Sequence, residues 1–351
     1  MDSAENIARV PPGAEVRLVR SATPTALAAS ANGHRSLRDA WKMSRAMSDP
    51  LFDLLVFPTV YSYVPVFSRA KKLVIIHDII AEMYPRLTLP SAGARLLWKV
   101  KVALGCWQAD AVATVSEYSR QGIVKRLKLA PERVFIVGEA SDPVFQVLAD
   151  PQPTSRLSAL GITANSRMVL YVGGFGPHKN LQALVLAFAK IAAQREFADV
   201  LLVMVGENQQ EVFHSYFAHI KDQVARLGMT KRVVFTGYLP DEDLVVLLNL
   251  GTVLVLPSLM EGFGLPAIEA AACGCPVIAT TASPLPVLLG DASLYIDPVN
   301  HPELVFALTR VLAAESLRQQ MRKAGLAAAR QLTWDAAARQ MVNLIRMVTA
   351  S

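Results

Sequence analysis

The chain has 351 residues, 52% of them hydrophobic and 18% charged, which suffices for two domains with full cores and excludes a disordered or fibrous protein. Its opening, Met1-Asp2-Ser3-Ala4-Glu5, is acidic where a secretory leader is basic and then apolar, and the longest nearly apolar stretch, 243–257, is interrupted and too short for a bilayer, so a soluble, cytoplasmic protein is expected. The net charge of +6 is lopsided, with 19 Lys and Arg against 14 Asp and Glu in residues 1–150, but no aromatics interleave with the charges, which speaks against a nucleic-acid partner.

Residues 1–50 carry the weakest pattern. Glu15 to Arg20 alternates like a strand, and Leu37 to Met47 places Leu37, Ala40, Trp41 and Met47 on one helix face. From Asp53 the pattern firms. Leu54-Leu55-Val56-Phe57 and Leu73-Val74-Ile75-Ile76 are apolar runs of buried-strand length, and the second delivers His77-Asp78 at its carboxyl end, where ligands sit in parallel α/β sheets. Two basic stretches follow, Arg95 to Lys101 and Arg120 to Lys128, with apolar and basic residues at helical spacing. Such a face suits an anionic membrane surface and equally an ordinary solvated helix. Between them, Ala109 to Val115 reads as a strand entering a helix capped by Ser116. Arg133 to Val137 is the next strand, followed by Gly138-Glu139-Ala140-Ser141-Asp142. Two prolines in Asp150-Pro151-Gln152-Pro153-Thr154 mark a linker, which divides the chain into domains at 1–150 and 151–330.

The second domain alternates plainly. Strands near 168–173, 199–205, 232–236, 252–256 and 276–280 are separated by helical patterns near 181–194, 209–227, 241–249 and 266–273, which implies right-handed crossovers and an α/β parallel sheet. Its first strand runs into Gly173-Gly174-Phe175-Gly176-Pro177-His178-Lys179-Asn180. A glycine-rich turn before a helix, with a lysine at its edge, suits a diphosphate; it is neither a Walker loop nor a dinucleotide fingerprint. Asp241-Glu242-Asp243 imitates a metal-binding triplet, but its place after Pro240 and before an apolar run makes it a helix start, where acids favour the dipole. Cys106, Cys273 and Cys275 are odd in number and lack zinc spacing, so neither a disulfide framework nor a structural metal is expected.

Val253 to Leu256 is a short buried strand that leads into Glu261-Gly262-Phe263-Gly264-Leu265-Pro266-Ala267-Ile268-Glu269. Strand, glycine-rich loop and helix in that order gather free backbone N–H groups and the positive helix end at one point, which suits phosphate. Glu261 is placed on the loop and Glu269 in the first helical turn. Two carboxylates can then accept hydrogen bonds from the diols of a ribose or a sugar ring, so a nucleotide sugar fits. Taken alone, each glutamate is better explained without a ligand, Glu269 as a cap on the helix dipole and Glu261 as a solvated loop residue; the glycines and the strand shift the balance towards the ligand. Helices near 302–314, 316–330 and 334–348 close the chain.

The E-G-F-G-L-P-x-x-E stretch resembles the E-x7-E motif of glycosyltransferase family 4. These are retaining enzymes of the GT-B fold, two Rossmann-like domains whose parallel sheets face a cleft. The likeness extends to Phe235-Thr236-Gly237-Tyr238, to Gly290-Asp291-Ala292 with Asp297-Pro298, and over about residues 50 to 348. It implies that Glu261 meets the donor sugar, Glu269 the ribose, and the amides of Gly262, Phe263, Gly264 and Leu265 the sugar and diphosphate. Tyr238 would lie beside the base, His77 near the sugar's outer hydroxyls, and Lys179 on the phosphates, where Gly174 and His178 occupy positions at which the family often has an arginine. Glu261, Lys179 and His77 are the catalytic candidates, with the donor as substrate and no metal or other cofactor. The final helix, within 331–351, is expected to cross back to the first domain.

There are departures as well. The first strand and glycine-rich acceptor loop of the fold are not found in residues 1–50, so the N-terminal domain is expected to lack its first strand or to start late. Val287 also stands where a glutamate is common. His77-Asp78 with Tyr84-Pro85, and the loop ending in Lys179-Asn180, look most like mannosyltransferases. GDP-mannose is the favoured donor, and a polysaccharide or lipid-linked oligosaccharide at the inner membrane face the expected acceptor. The rival expectation is a catalytically silent GT-B binding or partner subunit, or a truncated product without the acceptor loop. A nicotinamide oxidoreductase fails for want of the fingerprint.

Overall fold

The computed structural model describes residues 13–17, 19, 36–49, 51–89, 91–207 and 215–350. Two parallel sheets organise them. The first contains β1 (Leu54–Phe57), β2 (Lys71–Ile75), β3 (Ala111–Thr114) and β4 (Val134–Ile136), in the order β1-β2-β3-β4. Alternate residues of the central strands serve opposite faces, as the two-residue period of a strand requires. Val74 and Val112 join Phe57, Val102, Cys106 and Ile123 on one side, while Leu73, Ala111 and Ala113 meet Leu344 and Val348 on the other. These last two belong to the closing helix Trp334–Ala350, which therefore packs on the first domain's sheet.

Helix α1 (Leu37–Met47) starts at Ser36, whose hydroxyl accepts from the amide of Asp39. The strand expected over Glu15 to Arg20 is not formed among the described residues of that stretch. Arg17 instead donates to Asp49 at 2.6 Å, an ion pair taking the place of sheet pairing. Residues 20–35, part of the stretch whose sequence shows no acceptor loop, lie outside the described residues.

The second sheet is larger. It contains β5 (Met168–Val172), β6 (Leu201–Val205), β7 (Val233–Gly237), β8 (Val253–Leu256), β9 (Val277–Thr280) and β10 (Ser293–Ile296) in the order β10-β9-β8-β5-β6-β7. All pairings are parallel, and the order reverses between β5 and β8. In a doubly wound sheet this reversal opens a crevice at the carboxyl ends of those two strands. Strand β10 was not expected from the sequence, since Ser-Leu-Tyr-Ile at a sheet edge is neither an apolar run nor a clean alternation. The helical pattern near 209–227 is realised as Phe217–Arg226; residues 208–214 lie outside the description.

Candidate active site

The loops at the carboxyl ends of strands from both sheets meet. After β5, Gly173 adopts a φ of 147°, and a Cβ on Gly206 would lie 2.1 Å from its carbonyl oxygen, so the β5 and β6 loops touch through glycine backbone. The Tyr171 hydroxyl donates to the carbonyl of Gly174 at 2.5 Å. A turn over Pro177–Lys179 ends at Asn180, left-handed at φ 56°, whose amide donates to the carbonyls of Pro257 at 3.0 Å and Pro298 at 2.8 Å. Asn180 thus fastens the β5 loop to the loops after β8 and β10 and fixes where Lys179 points.

Lys179 points at Glu261. Its ammonium lies 2.8 Å from Oε1, which also accepts from the Ser258 hydroxyl at 2.6 Å. Burial pushes the Glu261 carboxyl up, but the Lys179 charge, the hydrogen bonds from Lys179 and Ser258, and His178 together hold it below the ordinary carboxylate range. His178 is driven down to about 4 by burial and by neighbouring Lys179, so its imidazole is neutral. Its Nδ1 is buried without a hydrogen-bond partner among the described residues.

The first domain supplies the opposite wall. His77 and Asp78 follow β2, and Glu139 follows β4. His77 Nε2 stands 3.9 Å from Glu139 Oε1. Burial lowers the His77 pKa against the pull of Asp78, and raises that of Glu139, with Asp78 adding to the rise. Asp78 is pushed up by burial and by Glu261, opposed by the amide of Ile80, which donates to it at 2.8 Å, and by Lys179 and His77. The cleft therefore holds an imbalance of acids around one lysine.

Gly262 closes the contact between the domains. Its carbonyl accepts from Ser116 at 2.7 Å and Ser119 at 3.1 Å, and a Cβ there would come within 2.8 Å of both the His77 carbonyl oxygen and the Asp78 Cβ. Only a residue without a side chain allows that approach. Ser116 is also the cap of the helix Glu117–Leu127, accepting from the amide of Ser119. Phe263 is buried in the second domain's core, leaving only its backbone for a ligand. Gly264, left-handed at φ 90°, opens the helix Leu265–Ala272, with Pro266 in its first turn and Leu265 half-buried.

Glu269 is corrected here: the helix begins at Leu265, so Glu269 falls beyond the first turn, and dipole capping does not account for it. It is half-buried, and burial, then Asp241 and Asp142, raise its pKa to about 7. Tyr238 is exposed just past β7, and Val287 is exposed as well. Asp243 is buried, accepting from Thr154 at 2.6 Å and paired with Arg156 at 2.9 Å, so this acid ties the linker to its helix. Among the described residues no group of three or more His, Cys, Asp or Glu is placed to hold a metal ion.

The structure thus brings together His77, His178, Lys179, Glu261 and Gly262, while Tyr238 stands exposed just past β7 and Glu269 half-buried on the helix Leu265–Ala272. Sequence reasoning passed over Glu139, Ser258 and Asn180. Glu139 stands in the sequence only as one residue of the loop after the Arg133 to Val137 strand, and Ser258 and Asn180 act through other residues, which no spacing reveals.

The family model of group 1 glycosyl transferases matches residues 157–327. The O-antigen chain mannosyltransferase B of Escherichia coli is 28% identical over 242 residues, covering 68% of this chain and 61% of that protein, so the match spans less than two thirds of the relative's length. Among solved structures, a sucrose-phosphate synthase from Thermosynechococcus elongatus superposes with a TM-score of 0.74 at 23% identity over 97% of this chain and 86% of that one. Anabaena HepE, solved in complex with UDP-glucose, gives a TM-score of 0.71 at 20% identity over 88% and 82%. The fold is GT-B, two Rossmann-like domains each built on a parallel sheet.

Proposed function

This chain carries a group 1 glycosyl transferase domain across residues 157–327, and on that premise we propose that it moves mannose from GDP-mannose to a glycan acceptor with retention of the anomeric configuration. The observation that carries the reading is the Lys179–Glu261 pair at the sheet's switch point, faced across Gly262 by His77 and Asp78. A donor diphosphate has two sources of positive potential there, the Lys179 ammonium and the backbone amides where the helix after Gly264 begins. Together they stabilise the charge that grows on the leaving oxygen, and no metal is needed. When the diphosphate takes Lys179, Glu261 is freed to accept from a sugar hydroxyl. The neutral His178 and His77 are donors or acceptors for the remaining hydroxyls.

In this reading the acceptor oxygen attacks the anomeric carbon on the face from which the diphosphate departs. The carbon–oxygen bond to the phosphate breaks, the new glycosidic bond forms, and the leaving oxygen takes the acceptor's proton. No protein base is required, which fits a cleft whose buried acids Asp78 and Glu139 are pushed towards their protonated forms. The choice of mannose is supported by the mannosyltransferase relative and by the His77-Asp78 and Tyr84-Pro85 pattern. The acceptor class, a polysaccharide or lipid-linked oligosaccharide, follows the same relative's name.

The test is incubation with GDP-mannose and mannose-terminated oligosaccharides in the presence of a chelator. The reading expects one added hexose per GDP released, in α linkage by NMR. Product from a UDP-sugar alone would overturn the donor choice. GDP-mannose binding without sugar release to any acceptor or to water would favour a silent binding subunit.

A further inference from the structure

Each of the two basic stretches in the first domain has two cations bound internally, Arg95 and Lys101 in the first and Arg120 and Arg126 in the second. Arg120 donates to the carbonyls of Val134 and Pro131, and Arg126 to that of Glu82. The first stretch lies on the helix Ala92–Gln108, and its outer face is different. Leu96, Val100, Leu104 and Trp107 follow one another at helical spacing with Leu97 beside them, and all five are exposed, Trp107 at 77% and Leu96 at 65%. The seventeen-residue helix contains no Asp or Glu, and Lys99 stands exposed on the edge of the apolar stripe.

The opposite face is pinned. Trp98 donates to Glu82 at 2.7 Å and packs on Tyr61, Lys101 donates to the Tyr61 carbonyl at 2.6 Å, and Gln108 exchanges hydrogen bonds with the backbone of Val66 while accepting from the Tyr63 hydroxyl. The exposed leucines therefore do not reflect a loosely seated helix. At its carboxyl end the stripe runs into an open groove of about 420 Å³ between Phe67 and Trp107, with Arg69 and Lys72 on its walls. Phe67 is 82% exposed, and Ser68 Oγ beside it is buried without a hydrogen-bond partner among the described residues.

We propose that this helix face and the adjoining groove dock the protein onto a bilayer of anionic lipid. The helix lies in the plane of the surface, with Leu96, Leu97, Val100, Leu104 and Trp107 entering the headgroup boundary while Lys99 and Arg69 meet lipid phosphates. A wide apolar stripe edged by cations is what an interfacial helix needs, and its lack of acids is what an anionic surface rewards. A second copy of the same face would bring Lys99 towards its own image without a carboxylate to receive it. The face lies outside residues 157–327, and the inference stands whether or not the donor is GDP-mannose.

The experiment is flotation of the full chain with vesicles of phosphatidylcholine alone and with about a third phosphatidylglycerol, alongside Leu97→Glu/Val100→Glu and Arg69→Glu/Lys99→Glu. The wild type should float with the anionic vesicles and lose binding in high salt. Each double variant should bind at least about ten-fold more weakly, with an unchanged melting curve because its side chains are exposed. Equal flotation of wild type and Leu97→Glu/Val100→Glu would overturn the proposal. So would a wild-type dimer that ignores vesicles and is split by that same variant.

Discussion

Lys179 and Glu261 stand 82 positions apart in the chain, yet the lysine ammonium lies 2.8 Å from a carboxylate that is almost wholly buried. Because Glu261 is held below its ordinary pKa, the pair stabilises the fold above about pH 4.5 and that stabilisation is lost as pH falls through the folded value. Lys179→Met should therefore cost about 3 kcal/mol at neutral pH by leaving a buried charge with only Ser258, and much less near pH 4, where the carboxyl takes up a proton. Urea unfolding at the two pH values measures this, and adding Glu261→Gln should restore most of the loss at neutral pH. Sugar transfer by Lys179→Met should fall by about 10- to 100-fold, the equivalent of one charged hydrogen bond of roughly 1.5–3 kcal/mol.

Gly262→Ala should separate contact from conformation. Its Cβ would meet the His77 carbonyl oxygen at 2.8 Å, and a carbonyl on a strand end has little room to give. A loss of about 1–3 kcal/mol in stability and a larger loss in transfer are expected, with nucleotide affinity nearly unchanged. Gly228→Ala is the control, since Gly228 has a φ of 69° but nothing within 4 Å. It should cost only the left-handed strain of about 1–2 kcal/mol and leave transfer intact.

Two hydroxyls serve one carbonyl at the same contact. Ser119→Ala should be mild because Ser116 still donates to Gly262 at 2.7 Å, whereas Ser116→Ala with Ser119→Ala leaves that buried carbonyl without either hydroxyl. The double variant should lose about 1–3 kcal/mol, more than the two single losses combined. A double-mutant cycle by chemical denaturation reads the difference.

Glu269 sets a pH dependence of its own. A ribose diol is received by the carboxylate, and burial with Asp241 and Asp142 pushes the Glu269 pKa up to about 7, so the carboxyl changes charge within the range around neutral pH. Nucleotide affinity should therefore rise with pH and level off above about pH 8, falling towards ten-fold per unit on the acid side. Isothermal titration at several pH values tests this, and Glu269→Gln should bind weakly with a flat profile. For stability the sign is opposite to that of Glu261. The raised pKa favours the fold below about 4.5, and this advantage is lost as pH passes 7, so Glu269→Gln should melt higher than wild type at pH 8 and not at pH 4.

The second domain was legible because its strands are continuous apolar runs, as sheets covered on both faces require, and each glycine-rich turn sits at a strand end. Strand β10 escaped because an edge strand with Ser293 and Tyr295 has no such run. In the site, the local motifs around Lys179 and Glu261 were readable, whereas their ion pair depends on the approach of two loops and on Asn180 as the fastener. Glu139 and Asp78 gain their raised pKa values from burial, to which Asp78 adds at Glu139 and Glu261 adds at Asp78, and no local spacing encodes that. The first domain's opening was poorly legible for a simpler reason: Arg17 alternates with apolar neighbours, but its partner is Asp49, an ion pair that no periodicity encodes.

The most direct measurement is the melting temperature of the full chain titrated with GDP, UDP and their sugar conjugates, with Glu269→Ala alongside. A site that binds only the folded state raises stability by about 2.7 kcal/mol at a hundred times the dissociation constant, which is readily seen. The account predicts stabilisation by GDP and GDP-mannose that is lost in Glu269→Ala. Stabilisation by none of the nucleotides, or the same stabilisation in Glu269→Ala, would contradict it.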